Sequence, residues 1–217
     1  MKTLVFCTGW ADDLGRWNNV YGRWLEHIRT SKLNYDQILI PDDGSQVLPY
    51  FPDFSILENI DDLQPKTNAV MYHWSNNLGR PGALNYPGWY RSFMFAATYA
   101  QRYGFQKIIH IESDAYLISE RIHSFINEFS NGWIAFYCPR HRFPEAGIQI
   151  IAGDAIANYI AISQRPYHHF INQCAENYLP FTPNLDFIGD RYGEYLSEAP
   201  PDADYAVQVH PGFKFKE

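Results

Sequence analysis

Two carboxylates, Glu112 and Asp114, stand one residue apart at the carboxyl end of the apolar run Lys107-Ile108-Ile109-His110-Ile111. Alternate positions of an extended segment project to one side, so both acids can face a hard divalent cation, magnesium or manganese, through oxygen ligands. Thr8, ending a first apolar run from Leu4, and the Asp42-Asp43 pair, following a second from Gln37 to Pro41, fall at the same kind of place. The carboxyl ends of strands in an open α/β sheet are where ligands bind, and convergence there separates a site from scattered acids. The set suits a nucleotide diphosphate joined to a sugar. Asp42 or Asp43 can accept from a uracil-type N–H, and Glu112, Ser113 and Asp114 meet the cation and diphosphate. Arg80 can reach a phosphate or the base, and the cation neutralises the leaving group.

The elements that must position these residues alternate. A strand over Leu4 to Thr8 precedes a helix over Leu14 to Ser31, whose Leu14, Trp17, Tyr21, Trp24, Leu25 and Ile28 recur three or four apart. The second strand runs into the turn Asp42-Asp43-Gly44-Ser45. The segment from Val47 to Pro65 reads as a loop with one short helix, and Ala69 to Tyr72 as a strand. A polar, glycine-punctuated loop from His73 to Tyr90 is too long for a mere connector. A helix over Trp89 to Tyr103 then ends at Gly104, and the strand over Lys107 to Ile111 follows. Beyond it come a helix over Glu120 to Phe129, a strand over Trp133 to Tyr137, and a strand over Ile148 to Ile151. A turn at Gly153-Asp154, a β-like run to Ile162, helices over Tyr167 to Tyr178 and Phe187 to Glu198, and a short tail strand from Tyr205 complete the chain. This predicts an α/β fold with a mostly parallel central sheet in one domain, residues 1–217. Residues up to about 117 form its nucleotide-binding half, and residues 118–217 a less regular acceptor-side half.

With 217 residues, 46% of them hydrophobic and 17% aromatic, the chain can bury a substantial core unaided. A net charge of −7 argues against a nucleic-acid partner. Cys7, Cys138 and Cys174 are few and widely spaced, which suits free thiols in a reducing compartment. There is no signal-like leader and no run of eighteen apolar residues, so a soluble, cytoplasmic protein without a transmembrane segment is expected, with peripheral contact at a membrane open.

Three blocks resemble the nucleotide-sugar-dependent glycosyltransferases of the GT-A fold, above all the inverting, cellulose-synthase-like branch. They are Ile38 to Ser45, similar to that family's strand-Asp-Asp-Gly-Ser turn; Asn76 to Ala83 with the helix behind it; and Ile109 to Tyr116, where the D-x-D motif belongs. The likeness covers about Leu4 to Leu117 and departs from the motif in having Glu112 for its first Asp. It implies a UDP-sugar donor, a glycan or other hydroxyl acceptor, and direct metal binding by Asp114. It also implies a third ligand in His210, whose surroundings resemble the His-x-x-Gly-x-Lys tail of the retaining, galactosyltransferase-like branch, one residue shorter before the glycine. An inverting transfer needs a general base. Asp190, at the start of the expected late helix, is similar to the family's acidic motif, and Asp154, after a glycine turn, is its rival. A retaining enzyme needs no such base, so both stereochemistries stay open.

His110 reads as a core residue, and His168-His169 as solvated. Trp74, Tyr86, Trp89, Tyr90 and Tyr137 lie near the expected cleft, where flat rings suit sugar faces. The alternatives are a sugar-1-phosphate nucleotidyltransferase and a non-catalytic sugar-nucleotide or glycan-binding module. The first is disfavoured by the acidic segment Thr8-Gly9-Trp10-Ala11-Asp12-Asp13, which would repel a triphosphate.

Overall fold

The structure, a computed structural model, describes residues 1–61 and 67–215. The end of the expected loop before Pro65, and Lys216 and Glu217 of the tail, lie outside the described residues.

The fold begins with β1 (Thr3–Phe6), whose side chains alternate between two cores. Leu4 and Phe6 join one cluster, and Val5 and Cys7 the other. The second cluster is covered by a π-helical turn at Trp17–Gly22 and α2 (Arg23–Thr30), which continue α1 (Leu14–Arg16) into the helix expected over this stretch; α1 itself buries no residue, and Leu14, expected on the packed face, is exposed. Asp13 starts it by accepting from the Arg16 N–H at 2.7 Å. After β2 (Gln37–Asp42) comes β3 (Phe54–Leu57), a four-residue edge strand where a loop with a short helix was expected. β4 (Ala69–His73) follows, then α3 (Pro87–Tyr103), opened by a proline and closed by Gly104 at φ +71°. α3 lies on the first cluster, so the helices before and after β2 cover opposite faces of the sheet.

β5 (Lys107–Ile111) leads through a turn to β6 (Tyr116–Leu117), α4 (Glu120–Glu128), β7 (Gly132–Cys138) and the long β8 (Phe143–Ala152). The main sheet has eight strands in the order β3-β4-β2-β1-β5-β8-β7-β9, with β9 at Thr182–Asn184. It is parallel from β3 to β5, whereas β8 is antiparallel to both β5 and β7. The chain moves from β1 toward β2 on one side and reaches β5 on the other, which places a topological switch point at the carboxyl ends of β1 and β5.

Three later elements also differ from expectation. The β-like run ending at Ile162 is a helix, α5 (Ala155–Ser163), which packs with α3 on the first cluster; an apolar run of that length carries no decisive period. The helix expected over Tyr167 to Tyr178 is a 3₁₀ turn at Tyr167–Phe170 and a separate short α6 (Ala175–Tyr178), divided where Asn172 takes a φ of +64°. The late helix from Phe187 is instead β10 (Gly189–Asp190) and a 3₁₀ turn at Tyr192–Glu194. β10 joins β11 (Tyr205–Ala206) and β6 in a second, three-stranded sheet, and the Tyr205 ring lies over Gly189, where no side chain would fit. Among the described residues no helix is long and apolar enough to cross a membrane.

Candidate active site

A cleft of about 570 Å³ opens at the switch point, within the range of small-molecule sites. Its walls come from the exit of β1 (Thr8 to Trp10), the loop before α3 with the helix's first turn, the turn after β5, the start of β8, α6 and the segment around Val207. Of the residues expected to act, Thr8, Asp43, Arg80, Glu112, Ser113 and Asp114 line it together.

The turn after β5 is not extended. The Ala115 N–H donates to the Glu112 carbonyl at 2.9 Å, so the two acids leave a tight turn instead of projecting in parallel. Their environments differ accordingly. Glu112 Oε2 accepts from the Thr8 hydroxyl at 2.9 Å, and Oε1 accepts from the Trp89 indole N–H. The buried His110 ring brings Nε2 within 3.1 Å of Oε1, close enough to pair electrostatically but without an aligned hydrogen bond. Burial raises the Glu112 carboxyl, but the His110 ring and the Trp89 and Thr8 donors outweigh it and hold the group below its ordinary value. Asp114, partly exposed on the cleft floor, is pushed up to about 7 by burial and by the charges of Glu112 and Glu145.

Asp42 and Asp43 are occupied by the protein itself. Asp42, fully buried, accepts from the Ser45 N–H at 3.0 Å and hydroxyl at 2.5 Å, and contacts His73 Nδ1 at 2.7 Å; it does not line the cleft. Asp43 accepts from the Asn77 amide at 3.0 Å, from the Leu78 and Gly79 N–H groups at 3.2 and 2.9 Å, and from Arg91. It fixes the loop carrying Arg80, which sits over the Tyr86 ring at the cleft wall.

The remaining expectations lie elsewhere. Asp154 is exposed at the opposite edge of the sheet, because β8 runs antiparallel to β5 and its end pairs Ala152 with Lys107 at the start of β5. Asp190 is buried on β10, accepting from the Cys138 thiol at 2.7 Å and from the Arg140 and Arg191 N–H groups at 3.0 and 2.8 Å, outside the cleft lining. His210 is exposed, and its Nδ1 accepts from the Gly212 N–H at 3.2 Å. What the tail brings to the site is Val207 and Gln208, with the Val209 N–H donating to the Asp114 carbonyl at 2.9 Å.

The cleft also holds residues that no motif marked. A bulge between Ala135 and Phe136 of the β7–β8 pairing accompanies Glu145, which lines the cleft, accepts from the Gly147 N–H at 3.1 Å and pairs with Arg191 Nε at 2.6 Å. Glu176, on the four-residue α6, is half-buried in the cleft wall. Trp10 lines the mouth with Arg16 over its ring.

Among the described residues no three His, Cys, Asp or Glu side chains are arranged to hold an ion. Asp114 fits a magnesium or manganese ion that arrives with a diphosphate, since such ions take one or two protein carboxylates and complete their shell with phosphate oxygens and water. Glu112 lines the same cleft, but each of its oxygens already accepts a hydrogen bond, from Trp89 and from Thr8.

No protein-family model matches the chain, and no curated protein matches it. Among solved structures it is similar to a glycosyltransferase involved in the glycosylation of the major capsid of PBCV-1, at 11% identity over 96% of this chain and 93% of that one, with a TM-score of 0.48. At that degree of overlap the likeness bears on neither the branch of the fold nor the chemistry.

Proposed function

We propose that the protein is a glycosyltransferase of GT-A type that moves a sugar from a nucleotide diphosphate donor, UDP-linked, to a hydroxyl of a glycan or related acceptor, with magnesium or manganese. The observation that carries this reading is the division of the switch-point cleft. Asp114 on the β5 turn and Glu176 on α6 line the same cavity, and among the described residues neither side chain is tied to another residue by the kind of hydrogen bond or ion pair that occupies Asp43, Glu112 and Glu145. The order of the Asp42-Asp43-Gly44-Ser45, Asn76 to Ala83 and Glu112-Ser113-Asp114 blocks supports the same reading.

In this scheme Asp114 holds the cation, which when bound neutralises charge on the departing diphosphate. Arg80 and Arg191 add fixed positive charge beside it. Glu176 takes the proton of the acceptor hydroxyl as its oxygen attacks the anomeric carbon, and the bond from that carbon to the diphosphate breaks with its electron pair going to the phosphate oxygen. The sugar is thereby inverted. Thr8, Ser113 and Arg80 face the nucleotide part, in the half of the chain before residue 118, and Glu145, Glu176 and Arg191 belong to the acceptor half. The three unpaired cysteines support a cytoplasmic location.

The test is a panel of nucleotide sugars in thermal melts with and without manganese, followed by turnover assays. A ligand that prefers the folded state raises Tm by mass action. A UDP-sugar with manganese should raise it in the wild type, and Asp114→Asn should remove the manganese-dependent part. If no nucleotide diphosphate shifts Tm with or without manganese, the proposal fails; a shift without transfer to any hydroxyl or to water supports a binding module instead.

A further inference from the structure

We infer that Glu112 is a positioning residue for Trp89 and not a ligand of the cation. Its carboxylate joins three elements at the switch point: Thr8 at the exit of β1, Trp89 in the first turn of α3, and His110 on β5. An indole has one donor, and that of Trp89 is used on this half-buried carboxylate, a charge-assisted bond stronger than a neutral one. The indole is also fixed from below, stacked on Phe93 with centroids 4.7 Å apart and planes 11° apart. Tyr86 and Tyr90 meet it edge-on at 6.3 and 5.0 Å. Trp89 cannot turn without losing both the stack and the hydrogen bond.

The two acids of the motif therefore divide their work: Asp114 faces the cleft, and Glu112 sets the angle of an aromatic wall. An aspartate at position 112 would withdraw its oxygens by one methylene from the indole and from Thr8. On the function proposed above, that wall is a fixed apolar surface for the sugar ring of the donor.

The indole N–H resonances of the ligand-free protein, with Trp89 assigned through Trp89→Phe, read the anchoring bond directly. Glu112→Gln keeps the arm length and an acceptor oxygen but loses the charge, so its Trp89 resonance should move only part of the way that the shorter variants move it. Glu112→Asp and Glu112→Ala should each release the indole and move the resonance toward that of a free indole. Manganese affinity in the presence of UDP should fall about tenfold or more in Asp114→Asn and stay within about twofold of wild type in Glu112→Gln, a difference of at least about 1 kcal/mol in binding. An unmoved Trp89 resonance in Glu112→Asp, or an affinity lost in Glu112→Gln as fully as in Asp114→Asn, overturns the inference. A wild-type protein that binds neither manganese nor UDP refutes the function proposed above, and the resonance comparison still decides the anchor.

Discussion

Gly88 lies so close to Asp43 that a Cβ at position 88 would overlap Asp43 Oδ2. The carboxylate has nowhere to retreat, since Asn77, Leu78, Gly79 and Arg91 all donate to it and it is nearly fully buried. Gly88→Ala should therefore push the loop away from Asp43 and cost about 1–3 kcal/mol, as overpacking does. Because the same loop carries Arg80 into the cleft, nucleotide-induced stabilisation should disappear as well. Urea unfolding, and thermal melts with and without nucleotide, measure the two effects; a variant with wild-type stability would show that the loop yields freely.

The Asp114 carboxyl, raised to about 7 by burial and by Glu112 and Glu145, ties stability to pH. The folded protein keeps this proton up to about pH 7, whereas the unfolded chain releases it near about 3.9. The group's contribution is thus fully present below the unfolded value and is lost as pH rises through the folded one. Asp114→Asn should remove this slope, making the variant gain on the wild type between pH 4 and pH 8. On the proposed function manganese would compete with the same proton, so its affinity should climb across that interval in the wild type. Denaturation midpoints at several pH values decide the first point, and metal titrations the second.

How much of the fold is legible in the sequence follows from how local each signal is. β1, β2, β4, β5 and α3 are marked by buried apolar runs, a proline start and a glycine stop, all features of a few neighbouring residues. The same runs place Thr8, Asp43, Glu112 and Asp114 at one edge of the sheet. Which oxygen is free is not local. Asp43 is occupied by donors 34 to 48 residues away, and Glu112 by Thr8, 104 residues away. The late segment misleads because Gly189 and Gly193 answer to packing against Tyr205 and the Gln208 carbonyl, which helical periodicity does not register. Glu176 carries no motif at all and reaches the cleft only because α6 packs against β8.

Arg191 and Glu145 form an ion pair with the carboxylate almost fully buried and the guanidinium partly exposed. Burial raises the Glu145 carboxyl, and Arg191 draws it part of the way back. Removing the arginine leaves a buried charge unopposed, so Arg191→Ala should cost about 3 kcal/mol, the low end for a broken buried pair. The loss should be smaller at pH 5 than at pH 8, because protonation can neutralise the orphaned carboxyl at low pH. The double variant Arg191→Met with Glu145→Gln should recover much of the stability while still binding diphosphate poorly. Denaturation curves at both pH values, paired with nucleotide titrations, check the expectation.

Three acidic residues of the second half of the chain can be told apart by what each touches. Asp154 is exposed at the edge of the sheet away from the cleft, so Asp154→Asn should change stability by no more than about 0.5 kcal/mol and leave turnover alone. Asp190 accepts from Cys138, Arg140 and Arg191 while buried, and Asp190→Asn should cost about 1–3 kcal/mol, because one oxygen becomes a donor facing donors. Glu176 lines the cleft without such bonds among the described residues, so Glu176→Gln should fold as the wild type does and, on the proposed function, bind the donor with unchanged affinity. Its kcat should nevertheless fall by about 10²- to 10⁴-fold, the usual contribution of a general base. Should Asp190→Asn lose turnover at full stability while Glu176→Gln keeps it, the proton would pass to Asp190 and the cleft would have to open toward β10 during catalysis.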